Sequence, residues 1–475
     1  MRSRSEREIV LDILTRIRRE QTYSHVAIRE ALDAAEESSM TTQQRAFIKR
    51  LTEGVIERRP ELDEVIGRHT RKGTRIKPVI RDILRMGVYQ ILYMDAVPDS
   101  AACDEAVKLT KEQGKSSLSG FVNAVLRTVT RENKKEILSG EALSMPAWIT
   151  QLWREQFSEE ETIALIESMM EVRPVTIRID ERLTKSEKEA LLDELKAAGA
   201  KLTPGRFCTY AYDLRGASSL SSLPGFKQGL WTVQDESSML VAEAVGLQGG
   251  ETVYDLCAAP GGKTLHCASK LAALADSSEN CVKDRSVICT AGGPRNRAED
   301  HMESGTVHAF DLSRSKTRLI RENAARMRLG NIVIAERDAR IPFSEEEQGR
   351  ADVLLCDLPC SGLGVMGHKR DIKYRVKPQQ LSELAALQRE ILRAGITALR
   401  PGGTLIYSTC TIDRQENEEI AAFIEEELGM IPDPLAPHLP EGIPGIRGHE
   451  LQLLPSVHGT DGFYIARFLS PEAQP

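Results

Sequence analysis

From about residue 233 onward, short apolar runs recur between longer helical stretches, and nothing else in this 475-residue chain limits its fold so tightly. The runs are Thr252–Leu256, Val307–Phe310, Ile332–Ala335, Val353–Cys356 and Thr404–Tyr407. Strands that alternate with helices are joined by crossovers, so they lie parallel in one sheet with helices on both faces. Ligands of such sheets bind beyond the carboxyl ends of the strands. The chemically unusual residues of this region stand just after those runs.

The remainder has different textures. In residues 1–136, Ile9, Leu11, Ile13, Leu14 and Ile17 recur near helical spacing, as do the apolar residues of 79–92 and 120–127. That pattern predicts an all-helical domain. Residues 137–145 read as a linker. Residues 146–232 open with Pro146-Ala147-Trp148 and a helix through Trp153 and Phe157. They continue with the strand-like alternation of Pro174–Asp180 and a helix over 186–198, which together predict a small α+β module. The α/β domain then spans 233–471. Residues 273–304 are rich in Ser, Asn, Asp, Glu and Gly and lack periodicity, so they are expected to loop out at the surface as an insertion.

Composition narrows the class. The chain is 41% hydrophobic and 28% charged, ordinary for globular domains. No apolar run approaches the ~20 residues of a membrane span, and the opening Met1-Arg2-Ser3-Arg4 lacks the apolar core of a secretion signal. A cytoplasmic protein without a membrane partner is expected. Nine cysteines, an odd number with no Cys-x-x-Cys pair, argue against a disulfide scaffold and against structural zinc, so no metal is expected. The net charge of −7 does not exclude RNA, because binding needs only a local basic face. The first 136 residues carry a small basic excess, and Arg58, Arg59, Arg68, Arg71, Lys72, Arg75, Lys77, Arg81 and Arg85 fall close together there. They could contact phosphates or form a solvated helix face. Trp153, Arg178 and Lys369 are further candidate RNA contacts, with core packing or surface charge as the plainer explanation.

Cys257-Ala258-Ala259-Pro260-Gly261-Gly262-Lys263 follows the first apolar run and precedes a helix. Its glycines let the backbone approach a ligand, and the helix N-terminus can hold an anionic group. The loop has neither G-x-x-x-x-G-K-[ST] nor G-x-G-x-x-G, which excludes a Walker loop and weakens a dinucleotide site. Asp311, after the second run, suits the hydroxyls of a ribose, and Asp338, after the third, suits an exocyclic amine. The fourth run leads to Asp357-Leu358-Pro359-Cys360-Ser361-Gly362 and the fifth to Thr409-Cys410, so two thiols stand at the tips of neighbouring strands. A thiolate that adds to carbon 6 of a cytosine makes carbon 5 nucleophilic enough to take a methyl group. The reaction also needs a group at N3, for which Asp357 is placed, and a base for the C5 proton. Spacing does not rank one thiol above the other.

At these residues the sequence resembles the bacterial RsmB (Sun/Fmu) family of 16S ribosomal RNA cytosine-C5 methyltransferases, with wider relatives of the Nop2/NSUN type. Asp255–Thr264 resembles the family's cofactor loop, and Pro359-Cys360-Ser361-Gly362 and Thr409-Cys410 its two cysteine motifs. Val233–Ser238, Asp371–Tyr374 and Asp461–Tyr464 are similar to further family segments, and the first 136 residues resemble the antitermination factor NusB. The resemblance implies a NusB-like helical RNA-binding domain (1–136), a small α+β RNA-binding module (146–232) and a Rossmann-like class I methyltransferase domain (233–471). It implies Cys410 as nucleophile, Cys360 in product release, and residues 257–263, Asp311, Asp338 and Asp357 around S-adenosylmethionine. It implies 16S ribosomal RNA as partner, naked or in an early assembly intermediate, and a monomer. Leu358 replaces the family's small alanine and could crowd the target base. Transfer RNA is the alternative substrate within the class. A non-catalytic RNA-binding factor is disfavoured by Cys410, Asp357 and Gly261-Gly262, and a DNA methyltransferase by the Thr409-Cys410 pair and the helical N-terminal region.

Overall fold

The computed structural model describes residues 4–20, 22–34, 40–132, 134, 145–171, 173–217, 220–282 and 305–472, the side chains of 276–282 excepted. The chain divides into two compact units, residues 1–162 with 368–375, and residues 163–367 with 376–475.

The first unit is helical, as the periodicity predicts. Its most buried helix is Pro78–Tyr93, where Ile80, Ile83, Leu84, Val88, Ile91 and Leu92 all lie in the core. Pro78 suits the first helical turn because its missing N–H has no partner there in any case. The helix Thr42–Glu57 starts at a capping box between Thr41 and Gln44. Two glycines let helices approach closely: a methyl group on Gly54 would strike the Tyr89 ring, and one on Gly87 would lie 2.7 Å from a Leu126 methyl. The helix Ala147–Arg154 belongs to this unit. Trp153 on it is fully buried, so it is a core residue and not an RNA contact.

Residues His368–Arg375 also pack in the first unit, although the sequence on either side of them lies in the second. Asp371 accepts hydrogen bonds from the Ser24 amide (3.0 Å) and hydroxyl (2.6 Å) and pairs with Arg375 at 2.6 Å. The Tyr374 hydroxyl donates to the Glu57 carbonyl at 2.9 Å, and Arg370 pairs with the Glu57 carboxylate.

The second unit holds two sheets. The smaller comprises β1 (Val175–Ile179), β2 (Lys201–Pro204), β3 (Ala211–Arg215) and β4 (Trp231–Val233), all antiparallel in the order β2-β3-β1-β4. Ile177, Ile179 and Trp231 pack with Leu191 and Leu195 of the helix Lys185–Ala197. Arg178 points to the other face of β1 but is equally buried, with Nε donating to Gln234 Oε1 at 2.8 Å. The strand is therefore covered on both faces, and Arg178 is not available to RNA. The module is fastened to the rest of the unit by polar contacts: Asp180 accepts from Ser269, and the Arg182 guanidinium donates to the Met327 carbonyl.

The larger sheet has nine strands, β5 (Thr252–Asp255), β6 (Thr306–Asp311), β7 (Ile332–Glu336), β8 (Ala351–Asp357), β9 (Leu399–Thr409), β10 (Ile431–Pro432), β11 (Ile446–Arg447), β12 (Glu450–Leu453) and β13 (Phe463–Leu469). The five apolar runs of the sequence are β5 to β9, and they pair in parallel in the order β7-β6-β5-β8-β9. The sheet then continues with antiparallel strands, β13 beside β9, followed by β12 and β11, and with β10 on β13. The chain moves outward from β5 through β6 to β7, then crosses to β8 on the other side of β5. The crevice of this topology opens at the carboxyl ends of β5 and β8.

The expected insertion is corrected in part. The helix Gly262–Val282 runs on through the first ten residues of 273–304, and 283–304 lie outside the described residues.

Candidate functional site

The loop after β5 packs around Gly261, whose φ of 107° only glycine adopts without strain. Gly262 starts the following helix, and a methyl group built on it would meet no protein atom within 4 Å. The loop thus leaves open space at a helix N-terminus, where amide groups face an anionic ligand. Asp311, at the end of β6, is buried, and its Oδ2 accepts from the Ala259 amide at 3.0 Å. Its Oδ1 accepts from the Leu312 amide at 2.7 Å and pairs with Lys316 at 3.0 Å. Asp338 lies two residues past β7. Its bidentate contact with the Arg340 side chain, the closest at 2.6 Å, holds its carboxyl at about 2. Burial pushes the Cys257 thiol far above its ordinary range, so this cysteine lines the loop as a neutral group.

At the end of β8, Asp357 pairs with Lys263 through Oδ2 at 2.7 Å and accepts from the Ser408 hydroxyl through Oδ1 at 3.0 Å. The Lys263 ammonium lies 4.8 Å from the centre of the Phe463 ring. Parallel register sets Asp357 beside Ser408, so the loops leaving β8 and β9 start level with one another. The Cys360 and Cys410 sulfurs are 3.4 Å apart, and both side chains are partly exposed. The next residues also meet, Ser361 Oγ lying 2.6 Å from Thr411 Oγ1. The hydrogen bond to Cys410, burial and the carboxylates of Glu416 and Asp357 all push the Cys360 thiol upward. Two sulfurs this close do not both ionise readily, so the pair carries one negative charge more easily than two.

The structure therefore brings Lys263, Asp357, Cys360 and Cys410 together and places Asp311 on the glycine loop. Leu358 belongs to the apolar core and is buried, so it does not project from the loop to crowd a base. Among the basic candidates, Arg58 pairs with Glu61, and Arg85 pairs with Asp63 and Asp82, which makes both internal ion-pair partners. Arg71, Lys72, Arg75 and Lys77 are exposed, as is Lys369.

Sequence reasoning missed the buried polar groups behind the thiols: Gln388, Glu416 and Asn417. Asp413–Asn417 reads as an ordinary polar loop after a strand, yet Asp413, Glu416 and Asn417 in it are buried, with the helix Pro378–Gly395 packed against the turn. A second polar group, Glu181, Glu243 and His266, has the composition of a metal site. Lys270 lies 3.1 Å from Glu181 and 2.8 Å from Glu243 and supplies the counter-charge itself.

Known proteins resemble this chain along most of its length. Residues 273–469 match the 16S rRNA methyltransferase RsmB/F family, residues 4–131 the NusB family, and residues 145–221 the ferredoxin-like domain of the RsmF/B-like methyltransferases. The chain is 33% identical to the probable ribosomal RNA small subunit methyltransferase B of Bacillus subtilis, over 98% of both chains. It is 30% identical to the ribosomal RNA small subunit methyltransferase B of Vibrio cholerae, over 93% of this chain and 92% of that one. Among solved structures, that of PH0851 superposes with a TM-score of 0.75 and 22% identity over 97% of each chain. NSun6 from Pyrococcus horikoshii, solved with SFG, gives 0.53 and 21% over 68% of this chain and 98% of that one.

Proposed function

The chain belongs to the 16S rRNA methyltransferase RsmB/F family, and from that premise we propose that it methylates carbon 5 of a cytosine in 16S ribosomal RNA through a covalent bond between Cys410 and carbon 6. The observation that carries this reading is the pair of thiols 3.4 Å apart beside the Lys263–Asp357 ion pair. S-adenosylmethionine, when bound, supplies an electrophilic methyl group on a sulfonium.

The residues at the glycine loop fit such a cofactor. Open space at Gly262 admits its polar tail, and Asp311 offers carboxylate oxygens to a ribose once Lys316 swings aside. Asp338 is assigned to the adenine amine. Cys257, Ala258, Ala259, Pro260, Gly261 and Lys263 complete the lining.

At the base, the Cys410 thiolate adds to carbon 6 as N3 takes up a proton from solvent; Asp357, with Lys263 as its counter-ion, accepts the hydrogen bond from that N3–H, and N3 gives the proton back when the ring is restored. Carbon 5 then takes the methyl group. A base removes the C5 proton, the electron pair restores the C5–C6 double bond, and the carbon–sulfur bond breaks to return Cys410 as thiolate. Cys360 assists that release. The base must leave its stack for carbon 6 to be reached, so the substrate is unpaired or extruded RNA. Residues 1–136 and 146–232 are read as the segments that hold this RNA, with Arg71, Lys72, Arg75 and Lys77 toward phosphates. The protein is read as a cytoplasmic monomer acting on naked RNA or an early assembly intermediate.

Cys410→Ala is expected to abolish methylation of 16S transcripts while the cofactor still binds. Cys360→Ala is expected to leave a covalent RNA adduct, visible as a shifted band on a denaturing gel. Near-normal turnover in Cys410→Ala would show that the nucleophile lies elsewhere. Mass spectrometry of ribosomal RNA from cells lacking the protein should find one 5-methylcytosine missing.

A further inference from the structure

Two consecutive residues, Glu416 and Asn417, stand behind the thiols with no exposed surface. Glu416 Oε2 accepts from the Ser361 amide at 2.9 Å and from Gln388 Nε2 at 3.2 Å. Gln388 Nε2 also donates to the Pro359 carbonyl at 2.9 Å. The backbone on both sides of Cys360 is thus held by one buried pair. The Tyr407 hydroxyl fastens the pair to β9, donating to the Glu416 carbonyl and lying 3.1 Å from Gln388 Oε1.

Asn417 does the same for the other thiol. Its Oδ1 accepts from the Thr409 hydroxyl at 2.6 Å, and its Nδ2 donates to the Thr411 carbonyl at 3.2 Å. Gln452 accepts from the same Nδ2 at 2.8 Å, anchoring it to β12. Each cysteine therefore has a tether before it and a tether after it, and the two sets start from neighbouring residues. These bonds lie out of water, where losing one partner leaves a costly unsatisfied group.

We propose that Glu416 and Asn417 form a clamp that positions the two thiols separately, Glu416 holding Cys360 for release of methylated RNA and Asn417 holding Cys410 for attack. The proposal rests on the assignment of Cys410 as nucleophile and Cys360 as release group. Both clamp residues are positioning residues, since neither reaches the crevice.

The test follows adduct formation and release separately, with the full-length protein, 16S transcript and S-adenosylmethionine. Glu416→Ala should accumulate covalent RNA adduct and lose about ten-fold or more in steady-state turnover, with its first turnover within about two-fold of wild type. Asn417→Ala should instead slow adduct formation and the first turnover together, by about ten-fold or more. Glu416→Gln keeps an oxygen for the Ser361 amide and should restore release. Gln388→Met, which keeps the shape of the side chain but cuts the Pro359 tether and the bond to Glu416, should accumulate adduct as Glu416→Ala does. Equal slowing of both steps in Glu416→Ala and Asn417→Ala, or wild-type release in Gln388→Met, would overturn the clamp. Loss of cofactor binding in Glu416→Ala without rescue in Glu416→Gln would overturn it too, by showing a role in folding only. Cys360→Ala is the control. If it traps adduct and Glu416→Ala does not, the clamp is wrong; if Cys360→Ala traps none, the assignment of the cysteines is what fails.

Discussion

Asp255 at the end of β5 shows how one side chain couples the cofactor loop to stability. It is almost wholly buried, with Oδ2 accepting from Thr264 at 2.6 Å and Oδ1 without a partner. Burial pushes its carboxyl up to about 7. The unfolded chain releases this proton near pH ~4. Between those values the folded state holds more protons than the unfolded one, so stability falls as pH rises. Asp255→Asn keeps an oxygen for Thr264 and carries no charge. Relative to this variant, wild type should lose stability from pH ~4 to ~7 and then level off, as measured by denaturant midpoints. Gly364 makes a different demand. Its amide donates to the Cys410 carbonyl at 3.0 Å, and a methyl group there would collide with the Gly462 carbonyl and lie 2.9 Å from the Cys410 oxygen. Gly364→Ala should therefore shift the Cys410 loop and cut methylation by about ten-fold or more, with cofactor binding retained, as read from single-turnover assays and titration.

Among the elements, the helix Lys185–Ala197 is the simplest to perturb. It starts at a capping box, Thr184 accepting from the Glu187 amide and Glu187 from the Thr184 amide. Thr184→Ala removes one half of that exchange and should cost about 1 kcal/mol, read by denaturant unfolding of the full chain. The elements differ in how plainly the sequence announces them. Strands β5, β6, β8 and β9 are legible because both faces are largely covered, which makes them short apolar runs bounded by loops, and the edge strand β7 is apolar too although Val333 is exposed. Strands β10, β11 and β12 are two to four residues long and carry no measurable period. β13 is apolar apart from Arg467, yet its antiparallel direction follows only from pairing with β9. The burial of Asp413, Glu416 and Asn417 was illegible for a related reason: the composition of this stretch is that of a loop, and the helix packed against it comes from elsewhere in the chain.

At the scale of the whole molecule, the chain's two units are not two uninterrupted stretches of sequence, since His368–Arg375 belongs with the helical one. Asp371 is the centre of that attachment, accepting from Ser24 and pairing with Arg375 within the first unit. Asp371→Ala, although it lies between the two cysteine motifs in sequence, should destabilise the helical unit by about 3 kcal/mol. In a Trp231→Phe background, the remaining tryptophans, Trp148 and Trp153, both belong to the first unit and report on it alone. Their unfolding transition should move to lower denaturant, and an unmoved transition would show that Asp371 is dispensable there.

Chemistry written in short contiguous strings was decided by the sequence alone: the glycine loop after the first strand, the acid ending the second, and the cysteines after the fourth and fifth. Each of these follows from local composition and from strand and helix periods that need no distant partner. Tertiary structure alone decided which of those groups touch. It set Lys263 against Asp357, brought the two sulfurs to 3.4 Å, buried Arg178, Trp153 and Leu358, and enclosed Glu416 and Asn417 behind the thiols. Contacts of that kind join residues dozens of positions apart, and whether a polar side chain meets water or protein is fixed only once the distant elements have packed.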